Sequence, residues 1–136
     1  MERAPGLGRL ERRPEFLAVA GARRKYVAPG LILQIRRHDD RQRPAAGEPS
    51  IRVGYTASKK VGGAVERNRA RRRLRAAVRE TIPALAMPGH DIVVIARTET
   101  LTRDFAMLKR DIEAGLKRLG AIRGGDRPRV TEETAR

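Results

Sequence analysis

The sequence predicts an α+β fold, a two-layer sandwich of helices on a sheet in the order α-β-β-β-α-β-α. Three observations carry this. Ile51, Val53, Tyr55 and Ala57 alternate with Arg52, Gly54 and Thr56, the period of a half-buried strand. Asp91–Arg97 reads DIVVIAR, a β-branched run suited to a strand buried on both faces. Phe105, Leu108, Ile112, Leu116 and Leu119 recur at three and four residues, as one face of a helix does.

The other elements follow in order. Residues 1–9 hold Pro5, Gly6 and Gly8 with little to bury, and are expected to be a loose tail ahead of a single domain over 10–122. Leu10, Phe16, Leu17, Val19 and Ala20 suit a short helix from Leu10 to Ala22, with Pro14 in its first turn, where a missing N–H costs nothing. Tyr26 and Val27, then Leu31, Ile32, Leu33 and Ile35, read as extended segments around a Pro29–Gly30 turn. His38–Ser50 is polar, with two prolines and a glycine, and reads as a loop between strands. After the strand at 51–57 a basic helix runs from about Gly63 to Ile82, ended by Pro83. Pro88–Gly89 turns the chain into the buried strand. Thr102 is the expected N-cap of the last helix and Gly120 its stop. From 123 to 136 the apolar residues run out, and a disordered tail is expected.

Charge points to a polyanion. The 136 residues carry 31 Lys plus Arg against 16 Asp plus Glu, a net +15, and segment 51–80 alone holds 10 basic and 2 acidic residues. Such concentration marks a binding surface more than general solubility. There is no cysteine, which excludes disulfides and thiolate metal sites. No apolar run of membrane length and no signal-like N-terminus occurs, so a cytoplasmic protein without a membrane partner is expected.

Segment 59–80, KKVGGAVERNRARRRLRAAVRE, concentrates the signal. At about 100° per residue, Asn68, Arg72, Arg75 and Arg79 fall within roughly 60° of one another, and Ala70, Leu74, Ala77 and Val78 collect opposite. A solvated helix face normally mixes signs, with Glu one turn before Lys or Arg. Here only Glu66 and Glu80, near the ends, offer compensation. Guanidinium forks keep their charge and match phosphate oxygens, so the row fits nucleic acid. Asn68 either reads a nucleotide edge or ribose hydroxyl or bonds locally. Ser58–Lys59–Lys60, with Gly62 and Gly63, sits where a strand enters this helix, a place that favours anions. The pattern is no Walker A loop.

Protein-borne catalysis has no candidate. His38, His90, Glu15 and the Asp39–Asp40 pair form no triad, carboxylate dyad or metal-ligand spacing, and both histidines read as incidental. Phe16 is either core or a platform for a base. Tyr55, on the alternating strand, reads as core.

RVGYTASKKVGGAVERNRARRRLR resembles the signature of the bacterial ribonuclease P protein component, in which a strand ending Ser-Lys-Lys leads into a helix with Arg-Asn-x-x-Lys/Arg-Arg-x-x-Arg. Ser58, Lys59, Lys60, Arg67, Asn68, Arg71, Arg72 and Arg75 meet it. LERRPEFLAVAGARRKY, GHDIVVIAR and LTRDFAMLKRDIEAGLKRL extend the likeness over roughly 10–120. The resemblance implies the small subunit of a ribozyme that cuts the 5′ leader from precursor tRNA. The RNA subunit, with bound Mg²⁺, would perform the hydrolysis, and the protein alone would bind no cofactor or metal. It implies ribonuclease P RNA and precursor tRNA as partners and a ribosomal-protein-like fold with a left-handed βαβ crossover; DNA is not expected as a partner, since the basic helix shows no helix-turn-helix partner. RNA contact would fall to Lys59, Lys60, Arg67, Asn68, Arg71, Arg72, Arg75 and Arg79, and Phe16 would line a groove for the single-stranded leader. Ala20 and Gln34 depart from the family's aromatic groove residues, and Ala76 from an acidic or polar one. A ribosomal or ribosome-associated RNA-binding protein is the main alternative. A protein-only nuclease would need clustered carboxylates.

Overall fold

The computed structural model describes residues 7–38 and 50–123. Its centre is β5 (His90–Ala96), flanked by β4 (Ile51–Thr56) in parallel and β3 (Leu31–Arg37) in antiparallel pairing. Two short strands complete the sheet. β1 (Leu7–Arg9) pairs parallel to β4, and β2 (Lys25–Val27) antiparallel to β3, giving the order β1-β4-β5-β3-β2. β5 is buried along both faces except at Ile95, which is partly covered, in keeping with its unbroken β-branched sequence.

Strand alternation assigns the two faces. Leu31, Leu33 and Ile35 of β3, Ile51 and Val53 of β4, and Ile92, Val94 and Ala96 of β5 point into the main core. Against them pack Ala70, Leu74, Ala77 and Val78 of α2 (Ala64–Arg79) and Leu108, Ile112 and Leu116 of α4 (Phe105–Arg118). α2 is the crossover that joins parallel β4 to β5, since no hairpin can join parallel neighbours. On the other face, α1 (Arg13–Gly21) seals Val19 and Leu10 against Val93, with Phe16 and Ile95 at the margin. The Phe16 ring lies so close to β4 that a Cβ on Gly54 would come within 2.6 Å of it.

Several boundaries differ from the sequence expectation. Leu7–Arg9, expected in a loose tail, is β1. Its register sets Leu7 beside Ile51 and Arg9 beside Val53, and it satisfies an edge of β4 that would otherwise lack a partner. α1 starts at Arg13 instead of Leu10, because Glu15 folds back to accept the N–H groups of Glu11 (2.8 Å) and Arg12 (2.9 Å). α2 ends at Arg79 instead of Ile82. There the buried Thr81 hydroxyl donates to the Ala77 carbonyl at 2.8 Å, and a separate turn, α3 (Ile82–Leu85), begins with Pro83 in its first positions. Thr102 is not the cap of α4. Its N–H closes a 3₁₀ turn (Thr98–Leu101) on Glu99, and Asp104 precedes the helix. The stop at Gly120 is present, with φ +73°. The expected loop at 38–50, except its ends, and the expected tail after Arg123 lie outside the described residues.

The tight Phe16–Gly54 contact generates a stability prediction. Gly54→Ala should lower stability by about 1–3 kcal/mol as the added methyl displaces the ring. Chemical denaturation checks this against Gly21→Ala, where a Cβ meets nothing within 4 Å.

Candidate nucleic-acid interface

The apolar stripe of α2 fixes its rotation, so its charged residues divide by azimuth. Asn68, Arg69, Arg72, Arg75 and Arg79 are exposed, while Arg67, Arg71 and Arg73 lie on the flanks and are partly buried. Of the sequence-selected residues, Asn68, Arg72, Arg75 and Arg79 thus share the exposed surface, with Arg71 and then Arg67 turned toward one flank. Arg69 adjoins the row but lies about 60° beyond it on the helical wheel, too far to join it in the sequence.

The two acids of this segment are already occupied. Glu66 Oε1 accepts the Gly63 N–H at 2.9 Å and closes the start of α2, and Glu80 pairs with Lys109 on α4 at 2.9 Å. Among the described residues no carboxylate forms an ion pair with Arg67, Arg69, Arg71, Arg72, Arg75 or Arg79. Asn68 has one local bond, its Oδ1 accepting from Arg71 Nη1 at 3.1 Å, which leaves its amide N–H groups for another partner. The Arg75 guanidinium sits 5.5 Å from the centroid of the Tyr55 ring. Tyr55 packs against the core, and burial pushes its hydroxyl up to about 12 despite the opposing charges of Arg75, Arg79 and Arg9. Arg9 of β1 therefore adds to this positive field, a contribution hidden from the sequence because no side-chain pattern marks β1.

Lys59 and Lys60 stand at the entrance to α2. Val61 between them and the helix is 6% exposed and anchors the turn in the core. The Val61 N–H donates to the Ser58 carbonyl at 3.0 Å, and the Lys60 N–H to the Ser58 hydroxyl at 3.3 Å. The wound turn leaves both lysine side chains exposed beside the start of α2. Arg73 has a different task. Its guanidinium donates to the carbonyls of Leu101 (3.4 Å) and Arg103, binding α2 to the turn before α4. Arg103 in turn holds Asp111 through two bonds, of 2.8 and 3.0 Å, and Asp111 accepts the Gly30 N–H at 3.0 Å.

Phe16 is not brought to this surface. It lies under α1 on the opposite face of the sheet, where Ile32, Gln34, Thr56 and Ile95 remain only partly covered. Next to it is a charge cluster that sequence reasoning missed. Arg52 donates to Asp91 through Nε (2.9 Å to Oδ1) and Nη2 (2.8 Å to Oδ2), and through Nη1 to Glu15 Oε2 at 3.2 Å. His38 Nε2 lies 2.7 Å from Asp91 Oδ1. His38, read from the sequence as incidental, and Glu15, read there as part of no catalytic constellation, are thus partners in one network, and the Asp91 side chain is 2% exposed. Burial pushes the Asp91 carboxyl up, yet the hydrogen bonds of Arg52 and His38 and their charges together hold it below the ordinary range. Glu15 is lowered by the Arg12 and Glu11 N–H groups and then by Arg52. Burial lowers His90. Both carboxylates are spent on internal partners, and no group of three or more His, Cys, Asp or Glu suited to a metal ion occurs among the described residues. No described helix is long and apolar enough to cross a membrane.

This division of labour separates structural from binding arginines by stability. Arg73→Ala should cost about 1.5–3 kcal/mol by releasing two carbonyls from a charged donor. Arg72→Ala should stay within about 0.5 kcal/mol of the parent. Thermal denaturation of the two variants distinguishes them. The pH dependence has one sign throughout. Folded His90, Glu15 and Asp91 all bind protons less readily than their unfolded forms, so acid favours unfolding. Stability should begin to fall below about pH 6.5 through His90 and more steeply below about pH 4.5 through the carboxylates. Urea titrations at stepped pH check this, and Asp91→Asn should flatten the lower part of the curve.

Comparison with known proteins agrees with the resemblance in the motif. A family profile described as Ribonuclease P matches residues 5–120. The ribonuclease P protein component of Paramagnetospirillum magneticum is 53% identical over 123 residues, covering 88% of this chain and 87% of that one. The Caulobacter vibrioides protein of the same name is 47% identical, covering 86% and 75%. The fold matches the Staphylococcus aureus RNase P protein at a TM-score of 0.61 with 21% identity, covering 80% of this chain and 92% of that one. It matches the Thermotoga maritima RNase P protein at 0.60 with 24% identity, covering 76% and 90%. With the profile spanning most of its length and a relative more than half identical, the chain belongs to the ribonuclease P protein component family.

Proposed function

We propose that the chain binds ribonuclease P RNA through the exposed face of α2 and receives the 5′ leader of precursor tRNA on the half-covered sheet face beside Phe16. The observation that carries the RNA contact is the arginine row itself, whose nearby acids are consumed elsewhere. Arg67, Arg71, Arg72, Arg75 and Arg79 would neutralise phosphates, with Lys59 and Lys60 adding to the field and the free Asn68 amide donating a hydrogen bond. Phosphate contacts orient a partner without reading its sequence, which suits a subunit that serves every precursor tRNA. On the leader side, Phe16 supplies an aromatic edge, while Ala20 and Gln34 supply no stacking surface.

Mg²⁺ held by the RNA would supply the phosphodiester hydrolysis. The chain's own residues position RNA and relieve its charge. None of the described carboxylates belongs to a cluster suited to that ion, since Asp91 and Glu15 are held by Arg52 and Asp111 by Arg103. The cytoplasm, where precursor tRNA is made, is the corresponding location.

The test is cleavage of precursor tRNA by ribonuclease P RNA at low Mg²⁺ with and without the protein. The parent protein should restore leader removal, and the protein with Arg71, Arg72 and Arg75 changed to Ala should not. The slope of log affinity against log salt should flatten in that variant by about 0.7–0.9 for each phosphate no longer neutralised. Tight RNA binding without rescue of cleavage would favour a ribosomal RNA-binding role instead.

A further inference from the structure

The Arg52 cluster is used neither by the arginine row nor by the aromatic edge of the groove. Arg52 projects from β4 onto the sheet face under α1, and its register partner on β5 is Asp91. One guanidinium therefore joins three elements: β4 carries it, β5 supplies Asp91, and Glu15 brings the first turn of α1. Glu15 is followed directly by Phe16, whose ring leaves no room for a Cβ on Gly54. A shift of Glu15 is thus transmitted within one residue to the ring that borders the open sheet face.

We propose that Arg52 is a positioning residue: by tying Glu15 to Asp91 it fixes α1 on the sheet and sets the width of the groove that takes the single-stranded leader. The inference rests on the groove reading above. An arginine at the rim of an RNA groove would ordinarily be taken for a phosphate ligand. Here its guanidinium is already held by two carboxylates, Asp91 through Nε and Nη2 and Glu15 through Nη1, so a phosphate would have to compete with both for it. All three of its donor nitrogens are already engaged, and its side chain is only 32% exposed.

The test uses the reconstituted holoenzyme and two precursor tRNAs, one with a leader of several nucleotides and one with a single-nucleotide leader. Arg52→Met should raise KM for the long-leader substrate roughly tenfold, the equivalent of about 1.4 kcal/mol of lost contact. The kcat, the KM of the single-nucleotide substrate and the affinity for the RNA subunit should not change. The salt slope of long-leader affinity should also be unchanged. Glu15→Gln guards against simple loss of fold. Its amide oxygen can still accept the Glu11 and Arg12 N–H groups, while the charge tie to Arg52 is removed, and it should shift KM in the same direction by less. A slope flattened by about 0.7 in Arg52→Met would identify a direct phosphate contact and overturn the proposal. Equal losses on both substrates, or none on either, would reduce Arg52 to a stability role and overturn it as well. Should the parent holoenzyme show no preference for the long leader, the groove reading itself fails and the proposal with it. A parent preference unaltered in both variants sinks the positioning role alone.

Discussion

Everything on the main face depends on whether α2 can hold a row of like charges and still form. Each like-charged pair one turn apart costs about 0.2–0.5 kcal/mol. Burying Leu74 or Val78 alone contributes about 1.5–3 kcal/mol, and both are fully enclosed with Ala70 and Ala77 beside them. Burial wins, and the repulsion remains as a cost that an approaching polyanion relieves. The helix therefore does not need its RNA to exist, but its charged surface is better satisfied with it. Arg73 adds to this by binding α2 to the turn before α4, which prevents the helix from rolling to spread its charges.

The opposite face of the sheet obeys a different rule. Among the described residues the apolar cluster under α1 is small, Leu10, Val19 and Val93 with Phe16 and Ile95, and the helix has just nine residues. A helix this short is marginal without tertiary support. Here the ion network adds what the cluster lacks, because Glu15 both closes the first turn of α1 and meets Arg52. Burying the Asp91 charge is tolerable only because its oxygens receive three polar contacts.

Legibility in the sequence followed range of interaction. α2, α4 and β4 are written in local periodicity and β5 in an unbroken β-branched run, and the exposed side of α2 could be read from a helical wheel because Leu74 and Val78 fix its rotation. Arg73 shows the limit. In RNRARRRLR it looks like its neighbours, and only the position of a turn 28 residues away makes it structural. β1 left no trace because three residues that pair through their backbone need no side-chain pattern. The Arg52 cluster was invisible for the same physical reason: its partners lie 37 and 39 residues away, and parallel pairing of β4 with β5 is what aligns them. His38 read as incidental because nothing within its loop explains it.

Two faces of one sheet with different physics allow separate control of the two RNA contacts proposed for them. Attraction by the α2 row acts through charge, and salt screens it within about 8–10 Å at moderate ionic strength. Contact in the groove rests on fit around Phe16 and on an Arg52 already held by Asp91 and Glu15, so salt should reach it weakly. Between them stands β5, buried on both sides, and a densely packed layer resists small deformations. Changes to the arginine row and changes to the Arg52 network should therefore combine additively, as expected for sites that share no side-chain partner. A strongly non-additive combination would mean that the sheet bends to couple its faces, and its seven-residue central strand is where that bending would have to occur.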